Sequence, residues 1–398
     1  MHMKPNKETN MFNFEFVNPT RIVFGRDKLG RINDLTPAGA RVLITYGGGS
    51  AKRSGLIDKV KASLGDREVF EFGGIEPNPQ YNTLMKAADI VRREKIDFII
   101  AVGGGSTIDG TKFIRLAASY NGDATDILMK GFGGLTPDMF PNVVPFASVL
   151  TLAATGSEMN NGAVISHNHA KFPVMYSENY PLYSILDPTN TFSVPKIQTA
   201  NGVIDAFIHT TEQYITFPAE ARVQDRWAEG ILQTLIEIGE TVVNEPENYD
   251  ARANHMWAAT MALNGIIAVG APVDWATHMI GHELTARFGI DHGQTLAIVH
   301  PALLNELREP KHDKLVQYAE RVWNITEGSD DEKIDAAIAK TREFFESLGV
   351  KTRLSEYGVK KEEIEDIVKQ LEAHGMVALS ETRKVTPEVS RKILEAAF

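Results

Sequence analysis

The chain has 398 residues, 43% hydrophobic and 23% charged, a globular composition with core enough for two domains. Acidic residues outnumber basic ones 52 to 41, for a net charge of −11, and no basic stripe appears, so no nucleic-acid partner is expected. The absence of cysteine excludes disulfides, thiol nucleophiles, iron–sulfur clusters and thiolate-bound zinc.

Met1 to Phe16 is polar and lacks an apolar h-region, so no secretory signal is read there. No apolar run approaches the roughly 18 residues of a membrane span, and a cytoplasmic location is expected. Arg41–Tyr46 reads as a strand followed by Gly47-Gly-Gly-Ser50 and an amphipathic stretch. Asp97–Val102 repeats the pattern, with Gly103-Gly-Gly-Ser106 and a helical stretch to Ala118, and Val143–Leu150 reads as another buried strand. Strand, glycine turn and helix in repetition predict a parallel sheet covered by helices on both faces. Both glycine turns fall at the carboxyl ends of strands, where open α/β sheets place ligands.

Beyond Asp187-Pro188 helical spacing takes over, as in Arg222–Ile238, Ala251–Val269 and Asp331–Leu348. The reading is an α/β domain over residues 1–190 and an all-helical domain over 191–398, with the boundary between Asp187 and Ala200. Met256, Trp257 and Met261 lie at helical spacing and read as core.

A strand ending in Gly-Gly-Gly-Ser lets backbone N–H groups approach an anion at a helix N-terminus without a Cβ in the way. The alternative is a tight turn that binds nothing. Gly-x-Gly-x-x-Gly fails after Gly103 because Ile108 stands at its last position, and no Walker-type or Gly-x-Ser-x-Gly motif occurs. The glycines alone suggest a nucleotide or phosphate outside the ordinary Rossmann fingerprint.

The second half holds a stronger constellation. Asp205 and His209 are four residues apart, as are His278 and His282, and His292 follows. On helices each pair shares one face, about a turn apart. Three imidazoles and a carboxylate suit iron(II) or zinc, whereas a lone histidine is usually an ordinary hydrogen-bonded residue. His167, His169, His255, His300 and His374 have no comparable partners and are read as ordinary. His-Glu-x-x-His fails because Ala286 stands at the second histidine.

Val102-Gly-Gly-Gly-Ser-Thr-Ile-Asp109, Thr151-Leu-Ala-Ala-Thr-Gly-Ser-Glu158 and the Asp205/His209/His278/His292 set resemble the iron-containing (group III) alcohol dehydrogenases. Leu43–Ser50, Phe72–Pro79 and Val322–Asp331 resemble the branch of butanol dehydrogenases and NADPH-dependent aldehyde reductases. The resemblance implies a dehydroquinate synthase-like fold: a Rossmann-like dinucleotide-binding α/β domain joined to a helical metal-binding domain. It further implies that Asp205, His209, His278 and His292 hold a divalent metal, Fe2+ or else Zn2+. Gly103, Gly104, Gly105, Ser106 and Asp109 would then hold the pyrophosphate and nearby ribose, Thr151 and Thr155 the nicotinamide side, and Lys171 a ribose. His282 would relay a proton or position substrate. Ala154 departs from the glycine common in the family.

The implied reaction moves hydride between a nicotinamide and a small aliphatic aldehyde or primary alcohol. Gly47, Gly48, Gly49 and Ser50 carry no acid that would repel a 2′-phosphate, and Lys52 and Arg53 add positive charge nearby, so NADP(H) is expected, with NAD(H) as the alternative. A homodimer is expected through an extended segment such as Asn13–Val17 or Arg21–Phe24. The competing reading is a glycerol-1-phosphate dehydrogenase or dehydroquinate synthase relative. That chemistry calls for more cations near the metal than Arg287, the only one near Asp205 and His278 in sequence.

Overall fold

Runs in which every residue is apolar or small can be buried on both faces only within a covered sheet. Such runs become the central strands of the computed structural model, which describes residues 11–398. The first ten residues of the polar stretch examined for a secretory signal therefore lie outside the described residues.

The strands are β1 (Arg21–Phe24), β2 (Val42–Tyr46), β3 (Val69–Phe72), β4 (Phe98–Gly103), β5 (Phe146–Leu150), β6 (Gly162–His167), β7 (Ala170–Met175) and β8 (Tyr183–Leu186). Six form one sheet in the order β1-β8-β5-β4-β2-β3, with every pairing parallel. Every residue of β2, β4, β5 and β8 is buried, whereas the edge strands β1 and β3 are partly open. Helix α1 (Tyr81–Arg93) buries Leu84, Ala87, Ala88 and Val91, one stripe at helical spacing. It packs against α2 (Gly105–Ser119), which begins at the second glycine turn.

A second sheet was not foreseen. β6 and β7 form an antiparallel hairpin whose turn residues Asn168 and His169 both have positive φ, 48° and 62°, the handedness that suits a two-residue hairpin.

Residues 246–260 group with 18–194 in this α/β unit. They include most of α5 (Tyr249–Ala262), the helix after α3 (Lys196–Tyr214) and α4 (Arg222–Asn244). The Arg26 guanidinium lies 4.2 Å from the Tyr249 ring centre, and Trp257 meets Phe24 edge-on at 6.2 Å. Met256 is core, as expected, but Trp257 is 42% exposed. The helix expected to run from Ala251 to Val269 stops at Ala262. Asn264 Oδ1 accepts from the Ile266 amide, and Gly265 takes φ +93°, which breaks the helix.

The second unit comprises 11–17, 195–245 and 261–398. Its elements are α3, α4, α6 (Ala276–Phe288), α7 (His292–Glu306), α8 (His312–Val322), α9 (Asp330–Ser347), α10 (Ile364–Ala373) and α11 (Pro387–Ala396). From Gly202 to Tyr214 every residue of α3 is buried, because α4 and α7 pack on it. Ile280, Leu284, Ile298, Leu303, Ile367, Leu371 and Ile393 form a core among α6, α7, α10 and α11. Among the described residues no helix is long and apolar enough to cross a membrane.

Candidate active site

Helical spacing puts Asp205 and His209 on one face of α3, and His278 and His282 on one face of α6; His292 opens α7. The packing of these helices brings the two faces together. Asp205 Oδ1 lies 3.5 Å from His209 Nε2, 3.5 Å from His278 Nε2 and 3.6 Å from His292 Nε2. Asp205, His209 and His278 are buried, with donor atoms all within 4.8 Å of one another.

Asp205 Oδ1 and His278 Nε2 are buried with no hydrogen-bond partner among the described residues. Burying a carboxylate oxygen against imidazole nitrogens just beyond hydrogen-bonding range is costly without a cation to bind them all. One oxygen and three nitrogens fit a divalent transition metal. Burial alone raises the Asp205 carboxyl, but His209, His278 and His292 outweigh it and hold it well below the usual carboxylate range. Burial pulls His209 down to about 4 against the attraction of Asp205, which keeps its ring neutral. Burial also lowers His278, but the Glu212 and Asp205 carboxylates prevail and raise it to about 9.

A buried polar network backs these residues. Glu212 Oε2 meets His278 Nδ1 in a short contact, and Glu212 Oε1 accepts from the Thr277 amide at 2.6 Å. The Thr211 hydroxyl donates to the Ile208 carbonyl, which leaves it to accept from His300 Nε2 at 3.0 Å. His300 Nδ1 then accepts from the Thr277 hydroxyl at 3.0 Å. Burial depresses His300 to about 3, in keeping with this neutral ring. Asp274 donates its amide to the Glu212 carbonyl, and its carboxylate pairs with buried Lys311, which also binds Glu381. Sequence reasoning missed Glu212 altogether and took His300 for an ordinary histidine. The available signal was Glu212's position on the helical face of Asp205 and His209.

His282 is half-buried, with its ring centre 5.2 Å from that of His292 and 6.3 Å from that of His278. The structure thus gathers all five singled-out ionisable residues into one cluster.

The glycine turns lie in the α/β unit. The Thr151 amide donates to the Gly103 carbonyl at 3.0 Å, and a Cβ at Gly105 would overlap the Thr155 side chain. Gly103–Ser106, Thr151 and Thr155 therefore form one neighbourhood. Asp109 also engages the segment after Thr155: its two oxygens accept from Ser157 Oγ at 2.6 Å and the Val164 amide at 2.9 Å. Burial raises the Asp109 carboxyl against the opposing charge of Lys112 and, more weakly, Lys171 on β7. Lys112, lowered to about 7 by burial, donates to Ser157, Asn160 and the Gly162 carbonyl.

The first turn places Gly49 at φ +100° ahead of the single helical turn Ser50–Arg53. Here the structure adds an acid that the sequence reading discounted. Parallel pairing sets Ile44 of β2 beside Glu71 of β3. Glu71 accepts from Tyr46 at 3.2 Å, Lys52 at 3.3 Å and Lys61 at 2.7 Å. The Lys61 hydrogen bond dominates burial and keeps this carboxyl below its ordinary range.

A family model described as iron-containing alcohol dehydrogenase matches residues 19–188, and the C-terminal model of the Fe-containing alcohol dehydrogenase family matches 199–398. The NADPH-dependent aldehyde reductase YqhD of Escherichia coli K12 is 56% identical over 391 residues, 97% of this chain and 100% of that protein. The NADH-dependent butanol dehydrogenase A of Clostridium acetobutylicum is 38% identical over 395 residues, 98% of this chain and 100% of that protein. The crystal structure of E. coli K-12 YqhD superposes with a TM-score of 0.95 at 55% identity, covering 98% of this chain and 100% of that one. That of NADH-dependent butanol dehydrogenase A from Thermotoga maritima gives 0.91 at 34% identity, covering 98% and 99%. With both halves matched and full-length relatives above a third identical, the chain belongs to the iron-containing alcohol dehydrogenase family.

Proposed function

We propose that this protein is a metal-dependent oxidoreductase that transfers hydride between NADP(H) and a small aliphatic aldehyde or primary alcohol. The observation that carries the reading is the buried Asp205 oxygen facing three imidazole nitrogens with no hydrogen-bond partner among the described residues. Asp205, His209, His278 and His292 would hold one divalent metal, iron(II) in first place and zinc in second. When bound, such an ion supplies Lewis acidity toward the substrate oxygen. His282, beside His292 and half-open, delivers the proton that the product alcohol needs.

Gly103, Gly104, Gly105 and Ser106 offer a pyrophosphate a backbone approach free of Cβ atoms, with Asp109 and Lys171 beside the ribose and Thr151 and Thr155 along the nicotinamide. Gly47, Gly48, Gly49 and Ser50 receive the adenosine ribose. Two lysines already engage Glu71, so its negative charge is largely compensated where a 2′-phosphate would sit. The NADPH dependence named for the E. coli relative points the same way, while the butanol dehydrogenases named for NADH keep NAD(H) as the second cofactor. A homodimer built on the open edge of β1 belongs to the same proposal. So does a cytoplasmic location, where a diffusible reduced dinucleotide is available. The phosphate-clamping chemistry of a glycerol-1-phosphate dehydrogenase or dehydroquinate synthase is disfavoured, because Arg287 is engaged by Asp366 at 3.0 Å.

The test joins metal analysis of the purified protein to NADPH- and NADH-dependent reduction of two- to six-carbon aldehydes. Bound iron or zinc with NADPH-driven turnover is expected. His278→Ala should lose both metal and turnover, and His282→Ala should keep the metal but lose rate. Full activity in the His278→Ala protein would overturn the site.

A further inference from the structure

Glu212 lies on α3, three residues after His209 and seven after Asp205, so it shares their helical face one to two turns further on. Its side chain is 1% exposed. Both carboxylate oxygens are directed at α6: Oε2 at His278 Nδ1, and Oε1 at the Thr277 amide at 2.6 Å. Its own carbonyl accepts from the Asp274 amide at 2.7 Å, just before α6 begins. Three contacts from one residue thus join the helix bearing Asp205 and His209 to the first turn of the helix bearing His278 and to the residues that lead into it.

The chemistry of that contact is directional. A carboxylate can only accept, so opposite it Nδ1 must carry a hydrogen. A ring that ligates a metal must be neutral, so with its hydrogen held on Nδ1 the nitrogen left bare is Nε2, buried 3.5 Å from Asp205 Oδ1. Thr277 offers a backbone N–H at the start of a helix, where such groups lack intrahelical partners and favour an anionic acceptor. Glu212 therefore meets two donors with two oxygens and has little freedom to turn away.

We infer that Glu212 is a positioning residue of the metal centre, holding His278 in the tautomer and orientation that present Nε2 as a ligand. The inference rests on the metal reading above and deepens it. Carboxylate partners of metal-ligating histidines set ring orientation and raise ligand basicity, and their loss commonly weakens metal binding about 10- to 100-fold. An amide at 212 cannot serve both donors. If its oxygen accepts from Thr277, its NH2 faces Nδ1 and selects the opposite tautomer, with a hydrogen on Nε2 where the metal must bind.

The experiment titrates metal-free protein with Co2+, reading affinity and the visible absorption of the saturated complex, for the unaltered protein, Glu212→Gln and His278→Ala. Melting of each metal-free protein is followed in parallel. Glu212→Gln is expected to bind cobalt about 10- to 100-fold more weakly and with shifted absorption bands, while its metal-free melting stays near that of the unaltered protein. A purely structural role would leave the bands of the saturated complex unmoved. Loss of cobalt by His278→Ala, with affinity and bands unchanged in Glu212→Gln, overturns the inference and leaves the metal site standing. Cobalt binding by His278→Ala as tight as that of the unaltered protein overturns the metal reading itself. Should Glu212→Gln not fold, Glu212→Asp, which keeps the charge but draws it back by one methylene, takes its place. Unchanged affinity and bands in that variant would equally overturn the inference.

Discussion

Gly48 is exposed, and nothing lies within 4 Å of where its Cβ would be, so an aspartate fits there without disturbing the turn. Its carboxylate would stand where the proposed reading puts the 2′-phosphate of NADP(H). Two like charges a few ångströms apart in partly screened surroundings repel by a few kcal/mol. Gly48→Asp should therefore lower the ratio of kcat/KM for NADPH over NADH by about tenfold or more. A ratio unchanged in the variant would move the ribose elsewhere. At this scale Asp205, His209, His278 and His282 were legible in the sequence because helical spacing sets each pair on one face, while His292, at the start of the next helix, was joined to them by its residue type and the family resemblance. Glu212 and Glu71 were not. Each gains its meaning from partners that only the fold brings to it, His278 in one case and Lys61 with Lys52 in the other.

Among the elements, α9 shows how local chemistry places a helix end. Ser329 accepts from the Glu332 amide while the Glu332 side chain accepts from the Ser329 amide, a complete capping box. Ser329→Ala should cost about 1 kcal/mol, read as a lower denaturation midpoint with kcat unchanged. Asp331–Leu348, expected from spacing, matches α9 within a residue because spacing and cap agree. The buried strands β2, β4 and β5 were equally legible as apolar runs beside turn signals, whereas the four buried residues of β8 were not read as a strand. The β6–β7 hairpin was not, since its turn, Asn168-His169, contains no glycine and its flanks do not alternate cleanly. The break after Ala262 was missed for a related reason. The apolar pattern carries on to Val269, and the Asn264 side chain, not the pattern, ends the helix.

For the whole molecule, the edge of the large sheet carries the remaining expectation. β1 hydrogen-bonds on one side only, to β8, among the described residues. Beside it Phe24 and Leu182 are 37% and 51% exposed. An open edge flanked by apolar side chains is a ready surface for a second copy. Light scattering at micromolar concentration should give twice the 43.9 kDa chain mass, and a monomer under those conditions would rule the pairing out.

The return of residues 246–260 to the α/β unit matters for how the chain reaches its folded state. Buried Glu158 receives its hydrogen bond from Thr260 at 2.5 Å, and the first strand must wait for Tyr183–Leu186 to be made before it finds its neighbour. During synthesis, then, the amino-terminal half leaves the ribosome without the segment that completes its packing. It stays incomplete until α3 and α4 have also emerged, a long interval in which unpaired strand edges are open to misassembly.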